Sequence, residues 1–478
     1  MIQLNSISKN KHVAIIGAGF TGLSAAYELE RRGIRTTVFE KSDEIGGMAG
    51  SSIVEGAYLE NFYHHFFPSD NELIQLIHEL GLEENIVGHK VSTGIYLRGN
   101  FFRLSTPLDV LCFKPLSLMN RIRLGLLVVK ARKIKNWQEL DNLTATDWLK
   151  SLCGNEVFRV AWEPLLKGKF GEYASEISAA WFWRKITKRG VSRDKKGSEK
   201  LLYLKGSFSV ITERLAKGIS KVHCNDPIEG IIVRDNKVRA IISRTRIVAC
   251  DAIIATQPLP NIADIICSYV DDDYIKKLRQ IEYLANVCLV LELDRKLSQM
   301  YWINVNDLSF PFVGIIEHTN MVKAATYGGN HIIYLSKYLK PDSEIYQMDD
   351  KALMEYSLPH LHRLFPHFKE SWIKTYHVWK AKHAQPLVKR NFRKLIPDKQ
   401  TPISGFYIST MAQIYPEDRG VNYAIHDGRD IARRVEIYFN SERHEQKESG
   451  FLSESIKTVQ SDTAKNSKEL NSLQETCS

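Results

Sequence analysis

At 478 residues, with 44% hydrophobic and 25% charged residues, the chain has the composition of a folded globular protein of one to three domains; wholesale disorder, collagen-like repeats and a disulfide scaffold are excluded. The formal charge of +10 is concentrated: residues 111–135 hold Lys114, Arg121, Arg123, Lys130, Arg132, Lys133 and Lys135 without an acid, and residues 184–200 hold eight bases against Asp194 and Glu199. The seven cysteines form no C-x-x-C pair, Met1–Lys11 opens no signal-peptide core, and no run of about 18 uncharged apolar residues occurs, so the expectation is a protein of a reducing, cytoplasmic compartment with no metal site and no membrane span.

In chain order, His12–Ile16 is a short continuous apolar run of the kind buried on both faces of a parallel sheet. The turn Gly17-Ala18-Gly19-Phe20-Thr21-Gly22 follows, and Leu23, Ala26, Tyr27 and Leu29 then recur at near-helical spacing up to Gly33, which suits a C′ residue. Ile34–Phe39 reads as a second strand ending at Glu40 and Lys41, with another glycine turn, Gly46-Gly47-Met48, after it. From Pro107 to Lys200 the pattern becomes helical, with Leu116, Met119, Ile122, Leu126 and Val129 on one side of a basic helix. Strands resume at 221–242, where Asp235-Asn236 marks a hairpin turn, and at Ala252–Thr256. Residues 285–340 alternate apolar runs and turns, as in an antiparallel sheet. Gly405–Ser409 forms a last strand and Val421–Phe439 a closing helix, and the tail from 441 is expected to be disordered.

A bare G-x-G-x-x-G is a weak signal. Here it follows a buried strand, opens a helix and is answered by Glu40 at the tip of the next strand, the arrangement that holds an adenine dinucleotide. Gly17 permits the turn, Gly19 lets the backbone approach a pyrophosphate, Gly22 lets helix and strand pack closely, and the helix N-terminus offers donors and a positive dipole end. A nicotinamide enzyme needs nothing special after the second strand. Gly46-Gly47 brings a second glycine turn towards the same diphosphate, which points to FAD.

The runs VAIIGAGFTGLSAAYELERRG (13–33), VFEKSDEIGG (38–47) and VNYAIHDGRDIA (421–432) resemble the flavin-dependent amine oxidase superfamily, which includes protoporphyrinogen oxidases, phytoene-type desaturases and, more distantly, UDP-galactopyranose mutases. The resemblance covers residues 12 to 90, 222–258 and 403–437. It implies an α/β fold: an FAD-binding Rossmann-like domain assembled from segments 1–105, 206–265 and 401–440, and an α+β substrate domain made of a helical insertion, 106–205, and a sheet, 266–400. It further implies a backbone contact from Ile228 to the adenine, Thr256 at the end of a strand that passes the FAD, and a helix opened by Val421 and Asn422 that faces the flavin N1–C2=O edge. Two positions depart from the family pattern: Met48 replaces the arginine of Gly-Gly-Arg, and Ser409-Thr410 replaces a glycine-acid pair, leaving Thr410 as the substitute contact to the ribityl chain.

The resemblance places Tyr58–Phe67 where the family returns its chain past the flavin ring; the stretch carries His64 and His65 among aromatics, and imidazole can move protons near neutral pH. The mutases have a histidine in the matching stretch, best aligned with His65, so His65 is the first catalytic candidate and His64 the second. Lys167–Gly171 lacks P-loop spacing but can line a substrate pocket. Glu317–Asn320 is expected to be a surface turn, and Trp181, Phe182 and Trp183 to be helix packing rather than a cage.

The basic helical segment reads by default as a solvated face; its apolar residues with cationic flanks are also what an interfacial helix on an anionic membrane requires, and no nucleic-acid module accompanies it. The sequence thus points to an FAD enzyme that takes hydride from a C–H bond of a hydrophobic or lipid-linked small molecule, at the inner face of a membrane. The alternatives are a flavin-dependent, non-oxidative rearrangement of a sugar nucleotide or lipid-linked sugar, and a binding protein that retains FAD structurally.

Overall fold

The computed structural model describes residues 11–191 and 200–442. Residues 1–10, the tail beyond 442 and residues 192–199, which belong to the second basic segment and include Asp194 and Glu199, lie outside them.

Five parallel strands form the first sheet, in the spatial order Phe406–Ile408, Ala252–Ala255, His12–Ile16, Arg35–Phe39 and Lys221–His223. Val13, Ala14 and Ile15 are fully buried, as a continuous apolar run in a covered parallel sheet requires. The helix Phe20–Arg31 crosses back between the first two strands and sinks Leu23, Ala26 and Leu29 into the core. Its end is the one the sequence suggests: Gly33 takes φ +77°, its N–H bonds the Glu30 carbonyl, and the Ile34 N–H bonds the Leu29 carbonyl. The Asp235-Asn236 hairpin also forms, with φ +52° and +53° at the two turn residues.

The closing helix begins at residue 421 and runs past Phe439 to residue 442, where Glu442 pairs with Lys237 and with Lys11. It lies directly on the first helix. A Cβ on Gly428 would meet the Thr21 carbonyl oxygen at 2.5 Å and the Ala25 nitrogen at 3.0 Å, so glycine here is what permits the close approach. At the next residue, the Arg429 side chain is 7% exposed and pairs with Glu28, Glu72 and Glu79, tying three helices together.

The second sheet has seven strands, in the order Ile373–Pro386, Tyr283–Leu293, His331–Leu339, Gly314–Glu317, Trp302–Val305, Thr93–Leu97 and Asn100–Arg103. This corrects two expectations. Residues 93–103, grouped by sequence with the first cofactor segment, are hydrogen-bonded into the substrate-side sheet, and the sheet is mixed because Trp302–Val305 pairs with Thr93–Leu97 in parallel. Pairing between strands some 200 residues apart leaves no local periodicity to read.

The helical stretch carries Pro107–Leu111, Leu118–Lys133, Ala145–Cys153, Glu163–Phe170 and Ala179–Val191, and gives way to a strand, Lys200–Leu204, paired with Ile86–Lys90. In the basic helix, Asn120, Leu124, Leu127 and Ala131 face inward, while Met119, Ile122, Leu126 and Val129 are exposed. Leu116, expected on the same stripe, lies before the helix and is buried. The turn at 317–320 is a correction as well: Glu317 and His318 are each 1% exposed. The Glu317 carboxylate accepts the Leu297 and Ser298 N–H groups at 2.8 Å and pins that loop into the core.

Candidate active site

The carboxyl edge of the parallel sheet gathers residues from distant parts of the chain, as an open α/β sheet does at its ligand crevice. Gly17, Glu40, Thr256 and Thr410 follow the ends of four of the five strands. The two glycine turns meet there: Gly19 and Gly46 form a parallel bridge, the Gly46 N–H bonds the Ala18 carbonyl at 2.8 Å, and a Cβ on Gly47 would meet the Gly19 Cα at 3.2 Å. Gly19 caps the first helix without any side-chain hydrogen bond, and no acid occupies the first turn, so the positive helix end is left to a ligand anion.

The glycines have different duties. A Cβ on Gly22 would lie 2.0 Å from the Gly17 carbonyl oxygen, whereas a Cβ on Gly19 would touch only the Gly47 Cα, at 3.9 Å. Gly22 is demanded by the fold. Gly19 is not, and its bare backbone faces the cleft. Glu40 is 8% exposed and ties the first glycine turn to the chain after its own strand, accepting the Ala18 N–H at 2.8 Å and the Ser42 N–H at 3.0 Å. Thr256 donates its hydroxyl to the Ile16 carbonyl and abuts Gly17. These features fit the diphosphate and ribose of FAD: bare backbone on two turns, an open helix end and an acid between them.

Other candidates are placed more narrowly. The Phe20 ring is buried, edge-on to Phe208, so only its N–H remains for a cofactor. Thr21 carries the carbonyl that abuts Gly428, Met48 lies in the short turn Gly47–Ala49, Lys41 is exposed, and Ile228 opens the strand Ile228–Arg234. The Thr410 hydroxyl accepts the Ala412 N–H in a capping box, while the neighbouring Ser409 Oγ is buried without a partner, so the unspent hydroxyl at this edge is one that sequence reasoning passed over. Asn422 is partly committed: its Oδ1 accepts the Leu73 N–H at 3.2 Å.

A cavity of about 1140 Å³ opens beside the start of the closing helix, with Val421, Asn422, His64 and His65 among its lining. His64 Nδ1 donates to the Phe62 carbonyl at 2.5 Å, which leaves Nε2 as the basic atom of the neutral ring. Burial, assisted by the positive charge of Arg419, lowers its pKa to about 4. His65 Nδ1 lies 3.0 Å from the Tyr301 hydroxyl, and the ring stands edge-on to Phe67 and Trp302.

The cavity wall also carries groups that the sequence did not single out. Asp418 accepts from Lys185 at 2.8 Å and from Trp181 Nε1 at 3.3 Å. Burial opposes its ionisation, but Lys169, Lys185 and Arg419 outweigh that and hold its carboxyl well below the usual range. Trp181, expected only to pack, is buried with two ammonium groups near its ring, Lys169 at 4.7 Å and Lys185 at 4.8 Å. Lys169 belongs to the segment read as a superficial phosphate loop. It is helical, and its ammonium reaches the cavity. No group of three or more His, Cys, Asp or Glu side chains suited to a metal occurs among the described residues.

Comparison with known proteins agrees with this geometry. The profile of the flavin-containing amine oxidoreductases matches residues 20–436. Coproporphyrinogen III oxidase of Staphylococcus aureus is 29% identical over 180 residues, 35% of this chain and 38% of that protein, so the alignment spans well under half of the relative. The 15-cis-phytoene desaturase of Synechococcus elongatus is 22% identical over 438 residues, 83% of this chain and 90% of the relative. A putative protoporphyrinogen oxidase structure from Exiguobacterium superposes with a TM-score of 0.73 at 16% identity, over 90% of this chain and 99% of the other, which shows the fold. With a family profile across most of its length and an FAD crevice at the carboxyl edge of its parallel sheet, the chain belongs to the flavin-containing amine oxidoreductase family.

Proposed function

We propose that the protein is an FAD-dependent oxidoreductase that takes a hydride from a C–H bond of a hydrophobic, lipid-linked small molecule drawn from the anionic inner face of a membrane. One observation carries this reading. Leu111, Ile122, Leu126 and Val129 line the cavity and are also 44–50% exposed at the surface. The mouth of the cavity is therefore an apolar ledge continuous with its interior, and Arg123, Lys130, Arg132 and Lys133 rise from the same helix. An aqueous substrate needs no such ledge, while an acyl or polyprenyl chain sliding out of a bilayer does. The desaturase relative, named for phytoene, accords with an apolar substrate.

FAD, when bound, supplies the two-electron acceptor. The chain supplies the rest: the glycine turns and Glu40 would hold the cofactor, the apolar cavity excludes water from the reacting bond, and a histidine takes the proton released from the bond next to the carbon that loses hydride. His64, with its pKa lowered to about 4, is a weak base at neutral pH, so His65, oriented by Tyr301, carries the proton-handling role. His65→Ala should keep FAD and a normal melting temperature, yet slow anaerobic flavin bleaching by a lipophilic substrate by roughly 10²–10⁴, the range for general acid–base catalysis. His64→Ala should cost less. An unstable His65→Ala with an intact rate per bound flavin would assign His65 to structure, and activity only after reduction by dithionite, without consumption of an acceptor, would replace hydride abstraction by rearrangement.

A further inference from the structure

The cavity is unevenly charged. Among the described residues, seven cationic side chains line it (Arg121, Arg132, Lys169, Arg184, Lys185, Lys188 and Arg419) against three carboxylates, Asp70, Glu417 and Asp418. Each carboxylate has a close partner. Glu417 pairs with Arg184, Asp70 with Lys188 at 2.9 Å and Asp418 with Lys185 at 2.8 Å. Lys169 is left to share Asp418 from 3.6 Å, beyond hydrogen-bond distance. Among the described residues no carboxylate lies within ion-pair distance of Arg419, although the charge of Asp418 acts on it: one nitrogen donates to the Tyr338 hydroxyl at 2.6 Å, and its Nε is buried without a partner.

These two cations converge. The Lys169 ammonium lies 5.3 Å and the Arg419 guanidinium 5.6 Å from the centre of the Tyr338 ring. Two like charges brought together in a partly dry cavity repel each other, and the arrangement is relieved by an anion placed between them. We propose that Lys169 and Arg419, framed by Tyr338 and Trp181, form a subsite for an oxyanion head, a phosphate or carboxylate, on the apolar substrate. The site is hostile to a protonated amine despite the family's name. Burial lowers the Lys169 pKa well below the usual range; Asp418 opposes that, and Lys185 and Arg419 add to it, so a single carboxylate is shared among three cations. Arg419 and Gly420 immediately precede the closing helix, so the head would be held beside that helix's N-terminus and the chain directed along the apolar wall towards Ile122 and Leu126.

This inference rests on the apolar-substrate reading, and one titration separates the two. The FAD-loaded protein is titrated by calorimetry with octyl phosphate, octanoate, octanol and octylamine, all below their micelle concentrations. Octyl phosphate or octanoate should bind at least tenfold tighter than octanol, and octylamine more weakly than octanol. The larger of the two anionic preferences then identifies the head. Lys169→Met and Arg419→Met should each remove most of the preference while leaving octanol binding unchanged, and Arg419→Lys should restore part of it. Equal binding of anion and alcohol, or tighter binding of the amine, would overturn the subsite and leave the apolar cavity standing. Failure of all four compounds to bind would overturn both. A Lys169→Met protein that loses octanol binding together with octyl phosphate binding would show that the lysine holds the wall rather than the head, which also refutes the proposal.

Discussion

At the scale of single residues, the glycine motif divides into positions that serve the fold and a position that serves the ligand. The carbonyl 2.0 Å from a Cβ on Gly22 is backbone and cannot rotate away. Gly22→Ala should therefore destabilise the protein by about 2–3 kcal/mol, the cost of overpacking a close contact. Gly19→Val adds a side chain where the protein has only an ordinary contact at 3.9 Å. It should leave the melting temperature of the FAD-free protein within about a degree of wild type, yet weaken FAD binding at least about tenfold, the equivalent of one lost charge-assisted hydrogen bond. Melting curves with and without added FAD, beside flavin content after gel filtration, distinguish the two variants. Full flavin occupancy in Gly19→Val would place the diphosphate elsewhere. Both glycines are legible in sequence, but their division of labour is not, because it depends on which backbone atoms stand opposite.

At the scale of elements, the helix Leu118–Lys133 is apolar on two sides. One side fills the core through Leu124, Leu127 and Ala131, and the other leaves Leu118, Met119, Ile122, Leu126 and Val129 exposed. Leu108 and Leu111 on the preceding short helix extend the patch. Among the described residues no helix is long and apolar enough to cross a membrane; the membrane contact proposed above would use this patch at the interface. Arg121 is not available for it, because its guanidinium bonds the Leu111 and Leu116 carbonyls at 2.8 Å and holds the corner between the two helices. Sedimentation with anionic phospholipid vesicles should decline with salt and in the variant Arg123→Glu, Lys133→Glu, Lys135→Glu, each cation near the surface contributing about 1 kcal/mol. Met119→Ser with Leu126→Ser should weaken what remains at high salt. Equal pelleting with neutral and anionic vesicles would rule out the electrostatic contact.

At the scale of the whole molecule, buried neutral histidines link global stability to pH. Burial lowers His64 to about 4 and His318 to about 3, against 6.5 when unfolded. Below pH 6.5 the unfolded chain binds protons that the native state refuses, so stability falls as pH drops from 6.5 towards those values and is flat above 6.5. His64 contributes up to about 3 kcal/mol to that fall, at 1.36 kcal/mol per pKa unit. Glu60 acts oppositely: burial raises its pKa, so its protonation favours the native state at low pH. The informative measurement is therefore the difference between proteins. His64→Asn can keep the N–H donated to the Phe62 carbonyl and removes the titration, so urea unfolding from pH 7 to 5 should show a shallower loss than wild type. Parallel curves would mean that His64 is as easily protonated in the native state as in the unfolded one.

The sequence by itself determined the parallel sheet and its glycine turns, the helix ended by Gly33, the Asp235-Asn236 hairpin, the closing helix and the FAD family, because each is written in neighbouring residues whose backbone needs are local. Tertiary structure alone decided which distant residues meet. It drew the strands at 93–103 into the substrate-side sheet, buried the Glu317-His318 turn and brought Lys169, Trp181, Tyr338 and Arg419 around one cavity from four separate segments. The stretch Lys167–Gly171 is legible in sequence as a candidate pocket lining, but nothing there marks Lys169 as one of a pair of converging cations. Its charge acquires meaning only when burial strips its water and places a second cation against the same ring, and both depend on packing between segments far apart in the chain.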